Sequence, residues 1–485
     1  MVARLIRTLL PVPLLALAAC GGDADRPVEV AAIGDPGSPF SSGPRLPVAA
    51  QLVRSATAEG LVAFDDQGRV IPALADRWIV TDDGLSYIFR LRDGRWADGT
   101  PITADNARTA LNEAIARVRA TALGLDLAPI DDVRTMAGRV IEIRLKRQAP
   151  DFLQLLAQPE LGLLRRGKGA GPMRLTRQKQ SAFLVAIPPE DRGLPQQSDW
   201  DGRMRKLRLV ALPAAEAITR FNAGDADMVL GGRFEDFPRL DAAGVSRGAI
   251  RLDPVAGLFG LSIVGTQGFL SLPENREALS MAIDRDAIGN ALGVGGWTAT
   301  TRLVNPGLAD DNGTVGERWP GRSMAERQVQ ARARVARWER PVQLRVALPA
   351  GPGADQLFAR LEADWDAIGI KVLRVAEGSN ADLVMVDTVA RYPRADWFLN
   401  QLSCIAARGL CDSAADRLAG QARVEPDATK RAELRAEAEA KLTIANGYIP
   451  LGVPIRWSLV SGRSSGLSPN PWSIHPLMPM AMRTR

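Results

Sequence analysis

From Leu85 to Leu91 the chain alternates. Leu85, Tyr87, Phe89 and Leu91 fall on one face, with Ser86, Arg90 and Arg92 on the other. A period of two predicts a strand of a half-buried antiparallel sheet. Arg77–Val80 reads as its hairpin partner across Thr81-Asp82-Asp83-Gly84, and Asp65-Asp66-Gln67-Gly68 is a second turn of the same chemistry. In such turns Gly supplies a positive φ and Asp bonds its own backbone. The period then changes. Thr103 predicts a helix N-cap with Asp105 in the first turn. Ala107, Ala110, Leu111, Ala114, Ile115 and Val118 recur at helical spacing and form an apolar stripe. These residues are scaffold, and none is placed for chemistry.

The C-terminal third predicts an α/β unit. Val342–Leu348 is strand-like, and Ala354–Ala367 carries a helical pattern through Leu357, Phe358, Leu361 and Trp365. Gly369 stops that helix, and Ile370–Val375 is a second strand. Strand, helix and strand of these lengths predict a βαβ crossover. Ala381–Val386 adds a strand, and a long charged helix over about Pro426–Ile444 suits a solvated face. With 485 residues the chain exceeds one comfortable core, so two or more lobes are expected. No long low-complexity linker separates them, which favours lobes joined by several chain crossings.

Met1–Cys20 reads as a targeting segment. Arg4 and Arg7 precede a short apolar run, Leu9–Leu15, that Pro11 and Pro13 interrupt. The run is too short to span a bilayer. Leu17-Ala18-Ala19-Cys20 resembles a bacterial lipobox, which implies cleavage before Cys20 and a lipid on its thiol. The alternative is an ordinary secretory signal with an incidental Cys. Residues 20–27 form a polar tether. Loss of residues 1–19 removes two arginines and no acid, so the formal charge falls from +6 to +4. That mild surplus forms no basic block and accompanies no nucleic-acid motif. Cys404 and Cys411 remain, in a compartment that is oxidising, and a disulfide closing this loop stabilises by about 2–3 kcal/mol. The alternative is two unrelated buried thiols. A metal site between them is disfavoured because His475 is the one His of the chain and lies far away in sequence.

Several motifs then occur in a familiar order. "PALADRW" at 72–78 and "DGLSYIFRLRDGRWADGTPITA" at 83–104 are followed by "GAGPMRL" at 169–175, "AGDADM" at 223–228 and "REALSMAIDRDAI" at 276–288. In this order the chain resembles the bacterial extracytoplasmic solute-binding proteins of family 5, which serve ABC importers of the peptide, oligopeptide and nickel type. The resemblance covers most of the mature chain. It implies an α/β, bilobal periplasmic-binding-protein-like fold of the large peptide-binding subclass, with three domains: two α/β lobes and an inserted α+β domain. Domain I is expected over 28–50, 166–254 and 450–485, inserted domain II over 51–165, and domain III, the second lobe, over 255–449. It further implies a monomer that binds a peptide or peptide-like solute and delivers it to a permease and ATPase complex. The localisation is then periplasmic or on the cell-surface side of the membrane, anchored only through lipid on Cys20, with no cofactor and no nucleic acid.

In peptide-binding members a carboxylate in a domain III segment like "W-A-D-Y-x-x-P-x-x-F-L" grips the free amino terminus of the ligand. Here the run is Val389-Ala390-Arg391-Tyr392-Pro393-Arg394-Ala395-Asp396-Trp397-Phe398-Leu399, which aligns Arg391 with that carboxylate. A guanidinium repels an ammonium and offers a planar fork to a carboxylate or phosphate. Asp396 restores an amine partner if the loop is re-registered. Alternatively, Arg391 forms a surface ion pair and Asp396 caps a helix beginning at Trp397. Arg391, Tyr392, Asp396, Trp397 and Trp297 are the candidate ligand contacts, with Trp78, Trp96 and Trp365 assigned to the core. The family's "tLDP" segment has only an echo in Gly34–Pro39.

An enzyme finds little support. The chain has a single His and no P-loop or zinc-ligand helix. A nickel or haem role would rest on His475 alone. A receptor that senses the solute instead of importing it would use the same closure, and sequence does not separate the two.

Overall fold

The computed structural model of the protein describes residues 26–308 and 310–483. The signal peptide, Cys20 and the tether through Asp25 lie outside the described residues. The central strand of the largest sheet, Val28–Ile33, runs parallel to Leu207–Leu212 on one side and to Met228–Arg233 on the other. Seven strands make this sheet, drawn from the start of the described chain, from 173–252 and from Arg456–Val460. One face is covered by the helix Val48–Thr57, whose Ala49, Leu52, Val53 and Ala56 pack with Val30, Leu209, Leu477 and Met480.

A second, four-stranded sheet holds the alternating strand. Its order is Ala75–Val80, Ser86–Leu91, Val140–Leu145, Ile130–Met136, antiparallel throughout. The hairpin pairs Trp78 with Phe89 and Val80 with Tyr87. The helix Ala104–Val118 lays its stripe of Ala107, Ala110, Leu111, Ala114 and Val118 onto this unit. Thr103 caps it reciprocally. The Asn106 amide donates to the Thr103 hydroxyl at 3.3 Å, and the Asn106 side chain accepts the Thr103 amide at 3.0 Å.

The alternation holds for Tyr87, Phe89 and Leu91, which are buried, and for Arg90, which faces solvent. It fails at both ends of the polar face. Ser86 is buried with its hydroxyl on Glu142, and Arg92 is only 3% exposed. Arg92 lies beyond the last ladder pair, where carbonyls from distant chain converge. Its Nε donates to the Arg192 carbonyl at 2.7 Å and its Nη1 to Glu59 at 2.9 Å and to the Ala73 carbonyl. Arg192 also pairs with Glu59, so one buried carboxylate serves two guanidiniums.

The third sheet has the order Ile370–Ala376, Val342–Leu348, Leu383–Val389, Gly257–Ile263, Tyr448–Gly452. The βαβ crossover is present. Val342–Leu348 and Ile370–Ala376 pair in parallel along their whole length, joined by the helix Pro352–Asp366. Leu357, Leu361 and Trp365 of that helix are fully buried, and the Trp365 indole donates to the Leu279 carbonyl at 3.0 Å. Gly369 has φ +86°, the left-handed conformation that ends the helix. The long charged helix spans Ala428–Ala445 and is capped by Asp427. Its face is not wholly solvated: Glu439 is buried and bonds Arg302 at 2.9 Å. Cys404 and Cys411 are joined by a disulfide with Cα atoms 5.1 Å apart.

The chain passes between the largest sheet and the third sheet at 253–256 and again at 453–455. The two passages touch, because the Asp253 amide donates to the Arg456 carbonyl at 3.1 Å. The carboxylate of Asp387 in the third sheet is wholly buried beside them and accepts from Arg233 Nε at 3.0 Å and Arg456 Nη1 at 2.8 Å. The helix Pro352–Asp366 begins hard against the other sheet's Phe234–Asp236 turn. A Cβ on Gly353 would lie 2.1 Å from the Phe234 carbonyl oxygen, so this approach requires glycine. His475 is structural, with Nε2 3.1 Å from Asp253 and Nδ1 3.2 Å from Asn470.

Glu59→Ala strands two buried guanidiniums and is expected to lower stability by about 3–5 kcal/mol, read by urea denaturation at pH 7. A loss below about 1 kcal/mol, the range of an exposed pair, would contradict the buried network.

Candidate ligand cleft

The strand Leu383–Val389 delivers the segment 390–401 to the junction between the third sheet and the four-stranded unit. Pro393 interrupts it, and a helix follows over Ala395–Gln401, two residues earlier than the sequence reading put its start. Asp396 does not cap this helix. The Ala395 amide donates to Asp310 at 3.1 Å, so the cap comes from a remote loop. Asp396 sits in the first turn and binds Arg435, whose Nε is 3.1 Å from its Oδ1.

Consecutive residues of the segment face opposite ways. Arg391 lies 4.0 Å from Glu160, a carboxylate whose side chain is only 3% exposed. The ion pair is therefore partly buried and not a surface one. Glu160 also acts on Arg54, whose guanidinium burial and Arg117 push down and Glu160 pushes back up. Arg408 is half-buried, and its guanidinium is depressed by burial first and then by the neighbouring charges of Arg45 and Arg391. Among the described residues no carboxylate lies within ion-pair distance of Arg408. Arg45 and Arg54 flank or occupy the helix on the largest sheet, whereas Arg391 and Arg408 come from the opposing lobe. Cationic groups from both sides thus converge, with Glu160 the acid that Arg391 and Arg54 share.

Tyr392 points the other way, into a cavity of about 860 Å³ between the four-stranded unit and the second lobe. Its phenol donates to Asp126 Oδ1 at 2.9 Å, and the Asn400 amide donates to the same oxygen at 2.8 Å. Burial pushes the Asp126 carboxyl up to about 6, against the pull of those hydrogen bonds and of Arg391. Arg394 crosses to Asp151 of the four-stranded unit. Asp310 and Asp396 share Arg435, and Asp311 is held by Arg302 at 2.6 Å. The aspartates of the cavity wall are therefore each engaged within the protein.

Trp397 is fully buried, edge-on to Phe398 at 4.9 Å, and does not line the cavity. Its indole N–H has no acceptor among the described residues, and neither amide atom of Gln401, one turn on, has a partner. Buried polar atoms of this kind call for a water or ligand partner. Trp297 stands apart from the segment. Its ring packs edge-on to Phe259 at 5.9 Å, and its indole donates to the Val453 carbonyl at 2.8 Å, beside the chain crossing. The structure thus leaves Arg391 beside Glu160, Tyr392 and Asp396 on the cavity wall, Trp397 in the core and Trp297 beside the chain crossing. Trp96 and Trp365 are core, and Trp78 is half-buried against it. Sequence reading missed Asp126, Glu160, Arg54 and Arg408. Asp126, set between Leu125 and Leu127, offered the one local signal, a carboxylate inside an apolar run.

Comparison with known proteins places this geometry. The family model described as bacterial extracellular solute-binding proteins, family 5 Middle, matches residues 69–406. The chain is 24% identical over 473 residues to the dipeptide-binding protein of Pseudomonas aeruginosa, covering 85% of this chain and 87% of that one. Among solved structures it superposes on Haemophilus influenzae OppA in complex with the peptide RPPGFSPFR with a TM-score of 0.80, at 18% identity, covering 94% of this chain and 99% of that one. It superposes equally on the Escherichia coli murein tripeptide binding protein MppA, TM-score 0.80 at 20% identity, covering 96% and 100%. The unliganded open form of MppA fits less well, with a TM-score of 0.63 at 19% identity over 95% and 98%. With most of its length matched by the family model, the chain belongs to family 5 of the bacterial extracellular solute-binding proteins.

Proposed function

We propose that this chain is the extracytoplasmic substrate-binding component of an ABC importer. It captures a peptide or peptide-like anionic solute between two closing lobes and hands it to a membrane permease. Lobe one comprises 28–50, 51–165, 166–254 and 450–485; lobe two comprises 255–449. The dipeptide-binding relative and the peptide-bound structural neighbour support the solute class. Ligand drives closure only through contacts it makes better in the closed state. Arg45 and Arg54 on one lobe and Arg391 and Arg408 on the other meet that condition for an anion. The observation that carries the anionic reading is Arg391 itself, standing where the family resemblance implies an amine-gripping carboxylate. No catalytic role is assigned. The mature chain is anchored through lipid on Cys20 and works in the periplasm or at the cell surface; no helix of the described residues is long and apolar enough to cross a membrane.

Native mass spectrometry of the soluble chain, purified without denaturant, tests the solute class. An anionic peptide-like mass is the expected outcome. A series of ordinary short peptides with free amines would contradict the anionic reading.

Closure is expected to depend on pH through Asp126. Its closed-state pKa of about 6 lies above the ordinary 3.8, so the closed form holds this proton more tightly than an open form that exposes the carboxyl. The contribution is full below the ordinary value and is lost as pH rises through about 6. Small-angle scattering of the solute-free protein should show contraction between pH 7.5 and pH 5 that Asp126→Asn abolishes. The same contraction in the variant would exclude Asp126 as its source.

A further inference from the structure

The cavity beside Tyr392 carries charge that the solute cleft does not explain. Arg147 follows the strand Val140–Leu145 of the four-stranded unit, and Arg423 lies near the end of the helix Ser413–Val424 of the second lobe. Both line the cavity of about 860 Å³, and Arg431 of the helix Ala428–Ala445 joins them. None of the three is ion-paired among the described residues. Arg423 Nη2 donates to the Asn400 side-chain oxygen at 2.8 Å, and Arg431 Nη1 donates to the Glu425 carbonyl at 2.7 Å. The wall aspartates are held by Arg394, Arg435, Arg302, Tyr392 and Asn400, as described above. Of the two glutamates, Glu425 accepts the Asp427 amide at 2.9 Å and Glu433 is exposed on the rim.

Two like charges presented from opposite lobes across one cavity repel, and they do so in the arrangement the protein adopts here. Burial lowers the Arg147 guanidinium and Arg423 lowers it further, while Asp396 and Tyr392 pull it back up. Taken by itself the pair opposes closure, and Asp396 beside Arg147 and Asp126 beside Arg423 offset that repulsion. An anion between them reverses the sign, because each guanidinium then gains a charge-assisted hydrogen bond in a partly desolvated site. An open arrangement that separates Arg147 from Arg423 offers the same anion only half the site, so the anion favours the closed form.

We infer that the cavity between the inserted unit and the second lobe is a second anion-binding site, distinct from the cleft at Arg391. There Arg147 and Arg423, with Arg431 behind them, clamp a carboxylate or phosphate and stabilise closure. The anion is either a separate small molecule or a distal carboxylate of the transported solute itself. The inference rests on the two-lobed closure but not on the identity of the solute.

The test uses citrate and inorganic phosphate as probes on the soluble mature chain after extensive dialysis, at ionic strength held constant with NaCl. Melting temperature and radius of gyration are followed against probe concentration. Saturable stabilisation with contraction is expected, weakened about tenfold in apparent affinity by Arg147→Gln and by Arg423→Gln, the scale of one lost charge-assisted contact. Arg391→Ala should leave the response to the probes intact, even where it abolishes capture of the co-purified solute. A response to probe alone assigns a separate anion. A response seen only when co-purified solute is retained, and still lost in Arg147→Gln, assigns the solute's own distal carboxylate. Stabilisation by the probes alone that persists in both glutamine variants, that disappears in Arg391→Ala, or that NaCl reproduces would overturn the second site.

Discussion

Asp387 is the fixed point between the lobes. It belongs to the five-stranded sheet, yet its buried carboxylate is bonded by Arg233 and Arg456, both from the seven-stranded one. The two chain passages run beside it and are tied together by the Asp253 amide. A charge so buried is tolerable only while both partners remain, because stripping them leaves an uncompensated ion in low dielectric. This holds the lobes together at one edge, and a second set of contacts joins them elsewhere. There Tyr392, Asn400 and Arg394 reach Asp126 and Asp151. A fixed contact at the chain crossing and a titratable one at Asp126 suit a clamp that opens and closes.

On the proposed function, the chemistry of the cleft follows from one exchanged charge. The segment that leaves the strand Leu383–Val389 carries Arg391 toward Glu160, Arg54 and Arg408. Glu160 offsets part of this charge, and Arg408 is left with cationic neighbours. Like charges gathered from two lobes are costly until an anion arrives, so the same residues that resist closure in the empty protein would reward it in the loaded one. On that proposal the arrangement couples selectivity to motion: a solute bearing an ammonium at this position would meet repulsion where an anion meets several donors.

Much of the scaffold was legible in the sequence because it is locally encoded. The turn at Thr81–Gly84, the capped helix after Thr103 and the crossover from Val342 to Ala376 each depend on residues within a few positions of one another. The failures share a different cause. Alternation puts Arg92 on the polar face, but its partners are Glu59 and the carbonyls of Ala73 and Arg192, remote in sequence. Charge content puts Glu439 on a solvated helix face, whereas Arg302 clamps it. The helix of the cleft segment is capped by Asp310, not by its own Asp396. Charge burial and borrowed caps are tertiary facts with no periodic signal. The cleft segment itself was found through resemblance, and the arginines and acids that surround it became visible only once the lobes were brought together.

A calorimetric titration with two matched ligands tests the central claim most directly. One is a dipeptide with a free amino terminus; the other is the same dipeptide carrying a succinyl group there, so that an ammonium becomes a carboxylate. The wild-type protein is expected to bind the succinylated ligand at least about tenfold more tightly, a difference of about 1.4 kcal/mol, and Arg391→Asp to reverse that order. Equal or tighter binding of the free amine by the wild-type protein, unchanged in Arg391→Asp, would contradict the account.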